Sequence, residues 1–350
     1  MDADKVRQVA LEAQGDRGGG LKRATAALRD QPPAWAAQVR DFAKGSDLIT
    51  GGIGGSVLGE AAAASLGVPW VRAELQPIGT IDGRQPGVFA AAIPPALGVV
   101  GNVVGQLATE AMIRVPVGGA RLIARQALGV RRRPSVPGIV FGISPAVMNP
   151  PRVLGRPSLA AGYWFDRATP HALPALVSEF IADGGPVVSV GFGSMVSADP
   201  AATRDLLLGA IRDVGARAIL VVGAGAMAAS DQEGVLTVSS ADYRALFPRM
   251  AATIHHGGAG TTAQAFASGV PTVILPFGAD QAFWARRAAE LGVAPRTATL
   301  AASTRDGLGR ALDEALSNPT MRERARSLGS VISAEDGVSA AVDWYDTLRW

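Results

Sequence analysis

From residue 186 onward, short and continuously apolar runs alternate with longer amphipathic ones. PVVSVGF (186–192), RAILVVG (217–223), VLTV (235–238), AATIH (251–255) and PTVILPF (271–277) have the length and β-branched content of buried strands. Between them lie segments with helical spacing. SADPAATRDLLLGAIRDVG (197–215) offers Asp199 as N-cap and Pro200 at the first helical position, with Leu207, Ala210, Ile211 and Val214 on one face. GAGTTAQAFASG (258–269) and DQAFWARRAAELG (280–292) repeat the pattern, the latter turning Trp284, Ala288 and Leu291 inward. Apolar strands separated by helices predict a parallel sheet covered on both faces, a doubly wound α/β domain.

The first half follows the same grammar less completely. Strands are predicted at 47–51, 69–74 and 138–144, and a helical pattern at AMIRVPVGGARLIARQALGV (111–130). Residues 85–109 carry no charge over a length that could cross a bilayer. Pro94 and Pro95 interrupt that run, and Asn102 and Gln106 make its second part polar, so a loop followed by a buried or surface-seeking helix is expected instead. The first strand does not arrive until residue 47, which leaves this half short of a βαβ unit. The expected division is 1–168, 169–335, and a last helix within 336–350 that returns to the first domain.

Composition removes several kinds of chemistry. There is no cysteine, so disulfides, thiolate nucleophiles and cysteine-held metals are excluded. His171, His255 and His256 are the only imidazoles, too few for a three-histidine metal site. Of 33 basic residues only Lys5, Lys22 and Lys44 are lysine, and none follows a glycine as a phosphate-binding GK[ST] loop requires. A Schiff-base lysine for pyridoxal phosphate is disfavoured for the same reason. A net charge of +3 gives no case for nucleic acid. The charged opening MDADKVRQVA is no secretory signal, and a cytoplasmic setting is expected.

The richest segment is IHHGGAGTT (254–262). A strand delivers two histidines, a glycine turn follows, and a helix begins, so backbone N–H groups and the positive helix end converge on one point. That is an anion site suited to a diphosphate. The competing reading is a turn needed only for close packing, with both histidines satisfied by backbone. GFGSM (191–195) presents Ser194 at another strand end, as a phosphate contact or a cap; Val196 rules out a nucleophile elbow. FGADQ (277–281) places Asp280 and Gln281 at a helix start, where a carboxylate and an amide can grip sugar hydroxyls or Asp280 can simply cap. GAGAMA (223–228) fits a dinucleotide fingerprint with Asp242 as ribose contact, but no full helix follows it; GGIGGS (51–56) is weaker. Arg131–Arg133 read as a solvated loop.

The run HHGGAGTTAQAFASGVPTVILPFGADQAFWARRAAELGVAP (255–295), with LFPRMAA before it, GFGSM and GYWF, resembles the donor-binding segment of family 1 glycosyltransferases of the bacterial sterol-glucosyltransferase-like and glycopeptide-type kind. The resemblance implies a GT-B fold, two Rossmann-like doubly wound domains facing a cleft, with the N-terminal one incomplete. It implies an inverting, metal-independent transfer of a hexose from a UDP- or dTDP-sugar co-substrate to a lipophilic hydroxyl acceptor (sterol, polyketide or lipid), with no cofactor. In that frame His255 and Ser194 contact the diphosphate, Gly258, Ala259, Gly260 and Thr261 offer it backbone N–H groups, Asp280 and Gln281 hold the donor sugar, and the nucleobase, as distinct from the catalytic base, lies along the main chain at Val238. The family's opening strand and G-S-x-G-D turn, which carry the base, have no counterpart here: GDRGGG (15–20) lacks a preceding strand, and Asp16 and Asp47 lack the context to serve. A catalytically silent sugar-nucleotide-binding protein is therefore the alternative. A peripheral membrane contact is compatible with the apolar 85–109 stretch.

Overall fold

A computed structural model describes residues 32–89, 93–148, 155–169, 171–223, 225–278 and 280–349; the GDRGGG turn and Asp16 lie outside them. The chain divides into two compact units, one comprising Met1–Gly162 with Gly337–Trp350 and the other Tyr163–Asp336.

The second unit is built on five parallel strands, β5 (Val187–Gly191), β6 (Arg217–Val221), β7 (Val235–Val238), β8 (Ala252–His255) and β9 (Thr272–Ile274), in the order β7-β6-β5-β8-β9. Every residue of β5, β8 and β9 is buried, which is why these strands read as unbroken apolar runs. The helix Pro200–Asp213 starts as the sequence predicts: the Asp199 carboxylate accepts from Ala202 N–H (2.9 Å) and Pro200 occupies the first position. Leu207, Ala210 and Ile211 pack into the core with β5, β6 and β8 side chains such as Val190, Leu220 and Ile254. Strand order reverses between β5 and β8. From β5 the chain winds outward through β6 to β7, then returns to place β8 on the other side. In open parallel sheets ligands bind where such a reversal parts the loops at the strands' carboxyl ends.

The first unit carries four parallel strands in sequential order, β1 (Ile49–Gly51), β2 (Trp70–Glu74), β3 (Ile139–Phe141) and β4 (Ser158–Ala160). The last escapes the sequence reading because three residues behind a glycine–arginine–proline run show no periodicity. Among the described residues, the helices of this unit are α1 (Pro32–Phe42), α2 (Ser56–Leu66), α3 (Gly98–Ala127) and a final helix at Gly337–Thr347. That final helix is tied in through Tyr345, whose hydroxyl hydrogen-bonds Thr50 Oγ1 at 3.0 Å, and through Trp344, whose ring lies against Gly138. The apolar stretch at 85–109 and the helical pattern at 111–130 prove to be largely one element: after Pro94 and Pro95 the helix starts at Gly98 and runs 30 residues. Among the described residues no helix is long and apolar enough to cross a membrane.

Trp70 is the keystone of this unit. Its ring is almost wholly buried on β2, and a Cβ at Gly59 of α2 would overlap it. Gly59→Val should therefore force ring or helix to shift, a cost of about 1–3 kcal/mol as for other overpacked cores. Urea unfolding followed by tryptophan fluorescence measures this, and an unchanged midpoint would show that the α2–β2 contact is not close-packed.

Candidate functional site

Three turns meet at the carboxyl edge of the second sheet. After β5, Phe192 and Met195 close a turn (Met195 N–H to Phe192 O, 3.0 Å) whose Gly193 has φ of +56°, leaving Ser194 exposed. After β8, Gly257 at φ +89° reverses the chain and Gly258 caps the helix Ala259–Ala267, which we label the anion helix. After β9, Leu275 to Asp280 lead into the helix Gln281–Leu291.

The anion helix has no side-chain cap. Its first intrahelical bond from this end is Thr262 N–H to Gly258 O (2.9 Å), so the N–H groups of Ala259, Gly260 and Thr261 have no acceptor within the helix. They add to the positive end of the helix dipole. The side chains here are small, and a Cβ at Gly260 would meet only open space.

The two histidines divide the work between them because successive residues leaving a strand face opposite ways. His255, the last residue of β8, is fully buried. Its Nδ1 accepts from Gly257 N–H (3.0 Å), which places the ring proton on Nε2, and Nε2 has no partner. Burial, with a smaller push from His256, drives its pKa down to about 3, so the ring is neutral. The His256 ring stands between the turns after β5 and β8. A Cβ on Gly258 would run into its Nε2, and one on Gly193 would stand 3.4 Å from its Cε1. Its Nδ1 is buried without a partner, and desolvation lowers its pKa against the opposing pull of Asp280. Packing alone accounts for neither ring, since each keeps one unspent nitrogen. Sequence reasoning nominated His255 and passed over His256; the alternation of strand residues was the signal that could have separated them.

Asp280 and Gln281 reach the same edge but in unlike roles. The Asp280 carboxylate does not cap its helix. It accepts from the Trp284 indole N–H one turn on (3.1 Å). Gln281 is buried, contrary to the expectation that it presents its amide to a sugar. Its Oε1 accepts from Phe277 N–H (2.6 Å) and Gly278 N–H (3.1 Å), while Nε2 donates to Met195 Sδ (3.3 Å). It fastens the turn after β9 to the turn after β5. Val238 ends β7, its carbonyl accepting from Val222 N–H (3.1 Å). It lies three strand spacings from β8, roughly 14 Å away. The dinucleotide alternative fails on structure: among the described residues no helix intervenes between β6 and β7, and Asp242 caps the short helix Tyr243–Leu246 through Arg244 N–H (3.0 Å) while pairing with His171.

Neutral, buried histidines make stability pH-dependent. Their folded pKa values lie below the ordinary 6.5, so the unfolded chain binds more protons as pH falls. Stability is complete above that value and declines below it, by up to about 1.4 kcal/mol per pH unit for each histidine that titrates fully. Urea unfolding between pH 7.5 and 5.5 should show this slope, and His255→Gln should flatten it by up to one proton. An unaltered slope would mean that His255 is protonated in the folded protein.

Residues 205–337 match the family described as Erythromycin biosynthesis protein CIII-like, C-terminal domain. The chain is 37% identical over 214 residues to O-mycaminosyltylonolide 6-deoxyallosyltransferase of Streptomyces fradiae, covering 59% of this chain and 50% of that protein. It is 38% identical over 167 residues to a sterol 3-beta-glucosyltransferase of Arabidopsis thaliana, covering 47% of this chain and 27% of that protein. The chain thus spans half or less of these curated relatives. In fold it is similar to the glycosyltransferase SnogD from Streptomyces nogalater (TM-score 0.62, 20% identity, 95% of this chain and 81% of that one). It is also similar to the glycosyltransferase VinC, solved in complex with DTDP (TM-score 0.61, 19% identity, 96% and 84%). Residues 205–337 thus belong to the Erythromycin biosynthesis protein CIII-like C-terminal-domain family, and the parallel α/β architecture of the two units is that of GT-B glycosyltransferases.

Proposed function

We propose that the chain moves a hexose from a UDP- or dTDP-linked sugar to a hydroxyl of a lipophilic acceptor, a sterol, polyketide or lipid, with inversion and without a metal. The observation that carries this reading is the uncapped start of the anion helix, flanked by two neutral imidazoles with unspent nitrogens. The names of the relatives support the acceptor class, and the DTDP bound to VinC supports the donor class.

In this reading an acceptor hydroxyl loses its proton to a base and attacks the anomeric carbon as the bond to the diphosphate breaks. The departing oxygens gain the electron pair. The N–H groups of Ala259, Gly260 and Thr261 and the Nε2–H of His255 are fixed before the charge develops, so little reorganisation opposes them. His256 and Ser194 border the same space. Asp280 addresses the sugar, and Gln281 keeps the two flanking turns in register. The base of the nucleotide lies along Val238.

A second reading, a silent sugar-nucleotide-binding protein, has an observation of its own. In the first unit Glu60, Glu74 and Glu110 are held by Arg121, Arg72 and Arg114. Glu74 is nearly wholly buried, accepts from Ile53 N–H (3.1 Å) as well as from Arg72, and has its pKa raised by desolvation despite that arginine. Such a carboxylate is placed to brace the turn at Ile53 rather than to take a proton from an acceptor. Release of free UDP and formation of a β-glycoside from an α-linked donor in the presence of EDTA supports the enzyme. Calorimetric binding of UDP with no turnover supports the binder, and failure to bind either UDP or dTDP would sink both.

The site makes two further predictions. His255→Ala and His256→Ala should each weaken UDP about tenfold or more, the worth of a hydrogen bond to a charged group; unchanged calorimetry would reduce the rings to packing. Asp280→Ala should weaken the intact sugar nucleotide while sparing UDP, whereas Gln281→Ala should weaken both because it releases the turns after β5 and β9. Equal losses for UDP and its sugar in Asp280→Ala would remove the sugar contact.

A further inference from the structure

The helix α3 is built inside out. Its polar residues point into the protein: Asn102 Nδ2 donates to Gly83 O (3.0 Å), Gln106 Oε1 accepts from Asp82 N–H (2.9 Å) and Gly83 N–H (3.0 Å), and Thr109 Oγ1 accepts from Phe89 N–H (3.2 Å). Glu110 accepts from Gly79 N–H. They clamp the loop 79–89 by its backbone. The outward face is Val100, Val104, Leu107, Val115 and Leu122, spaced by one or two helical turns and each between 48% and 80% exposed. At about 1.5 Å per residue the stripe is about 33 Å long, far beyond scattered surface leucines.

Charge decides what fits it. Residues 85–148 contain six arginines, Arg114, Arg121, Arg125 and Arg131–Arg133, and one acid, the inward Glu110. This segment is therefore +5 while the whole chain is +3, so the remainder is −2. Arg131–Arg133 are exposed directly beyond the helix end. A second copy of the same face would bring no counter-charge, since its only acid is already spent. An apolar stripe with an exposed arginine cluster at its end matches a helix lying in the plane of a lipid interface, its valines and leucines among acyl chains and Arg131–Arg133 among anionic headgroups.

We propose that α3 docks the chain peripherally on an anionic lipid surface. This rests on neither the donor site nor the transfer reaction. The full chain is tested by co-sedimentation with vesicles of phosphatidylcholine alone or with 30% phosphatidylglycerol (about that fraction suffices to charge the surface). Binding is expected to the anionic vesicles and to fall with salt. Val104→Asp with Leu107→Asp should abolish it. Arg131→Gln with Arg132→Gln and Arg133→Gln should reduce it by roughly fivefold per arginine. Both sets are on exposed positions and should leave the melting temperature and UDP affinity unchanged. Absence of binding to the anionic vesicles overturns the proposal. So does equal binding by the Val104→Asp, Leu107→Asp variant, or a dimer by light scattering that this pair of substitutions dissolves, which would assign the face to a second copy.

Discussion

An α-helix begins with backbone N–H groups that its own geometry cannot satisfy, and the second unit is arranged around leaving them unsatisfied at Ala259, Gly260 and Thr261. At three other helices of the same unit side chains solve the problem: Asp199, Thr304 and Asn318 each accept from the helix they precede. Gly258 has nothing with which to do so. It is required there sterically, because any Cβ would collide with the His256 ring that stands between it and Gly193. One missing side chain thus both opens the helix end and admits the imidazole.

The rest of the edge follows from that constraint. A ring in so dry a place stays neutral, and a neutral ring with one nitrogen spent on Gly257 N–H offers a single directed donor from the other. The turn after β5 must stay close, and Gln281 holds it through Met195 while satisfying two N–H groups of its own loop. The parallel sheet supplies the common direction: β5, β8 and β9 all end on this edge, so three separate turns of the chain become one surface.

The first unit shows the opposite distribution of polar groups. The buried Gln106, Thr109 and Glu110 of α3 replace the regular structure that the loop 79–89 lacks, and the apolar side chains that would ordinarily form a core are displaced outward. Such a helix spends its hydrogen-bonding capacity on its own domain and leaves its hydrophobic capacity for something else.

Much of this was legible from residue order alone. Strand and helix periods located β5 to β9 and the helices at 200–213, 259–267 and 281–291 within a few residues, since parallel strands buried on both faces must be continuously apolar. The spacing of IHHGGAGTT announced a strand, a glycine turn and a helix that starts without a side-chain cap, because only small residues leave backbone N–H groups uncovered. What residue order could not decide was orientation. Which of two adjacent histidines turns toward the turn after β5, whether Gln281 faces a ligand or a neighbouring turn, and which side of α3 is outside all depend on contacts with segments tens of residues away. Gly193, Met195 and the backbone of 79–89 set those contacts. Periodicity describes a face; only packing chooses what the face meets.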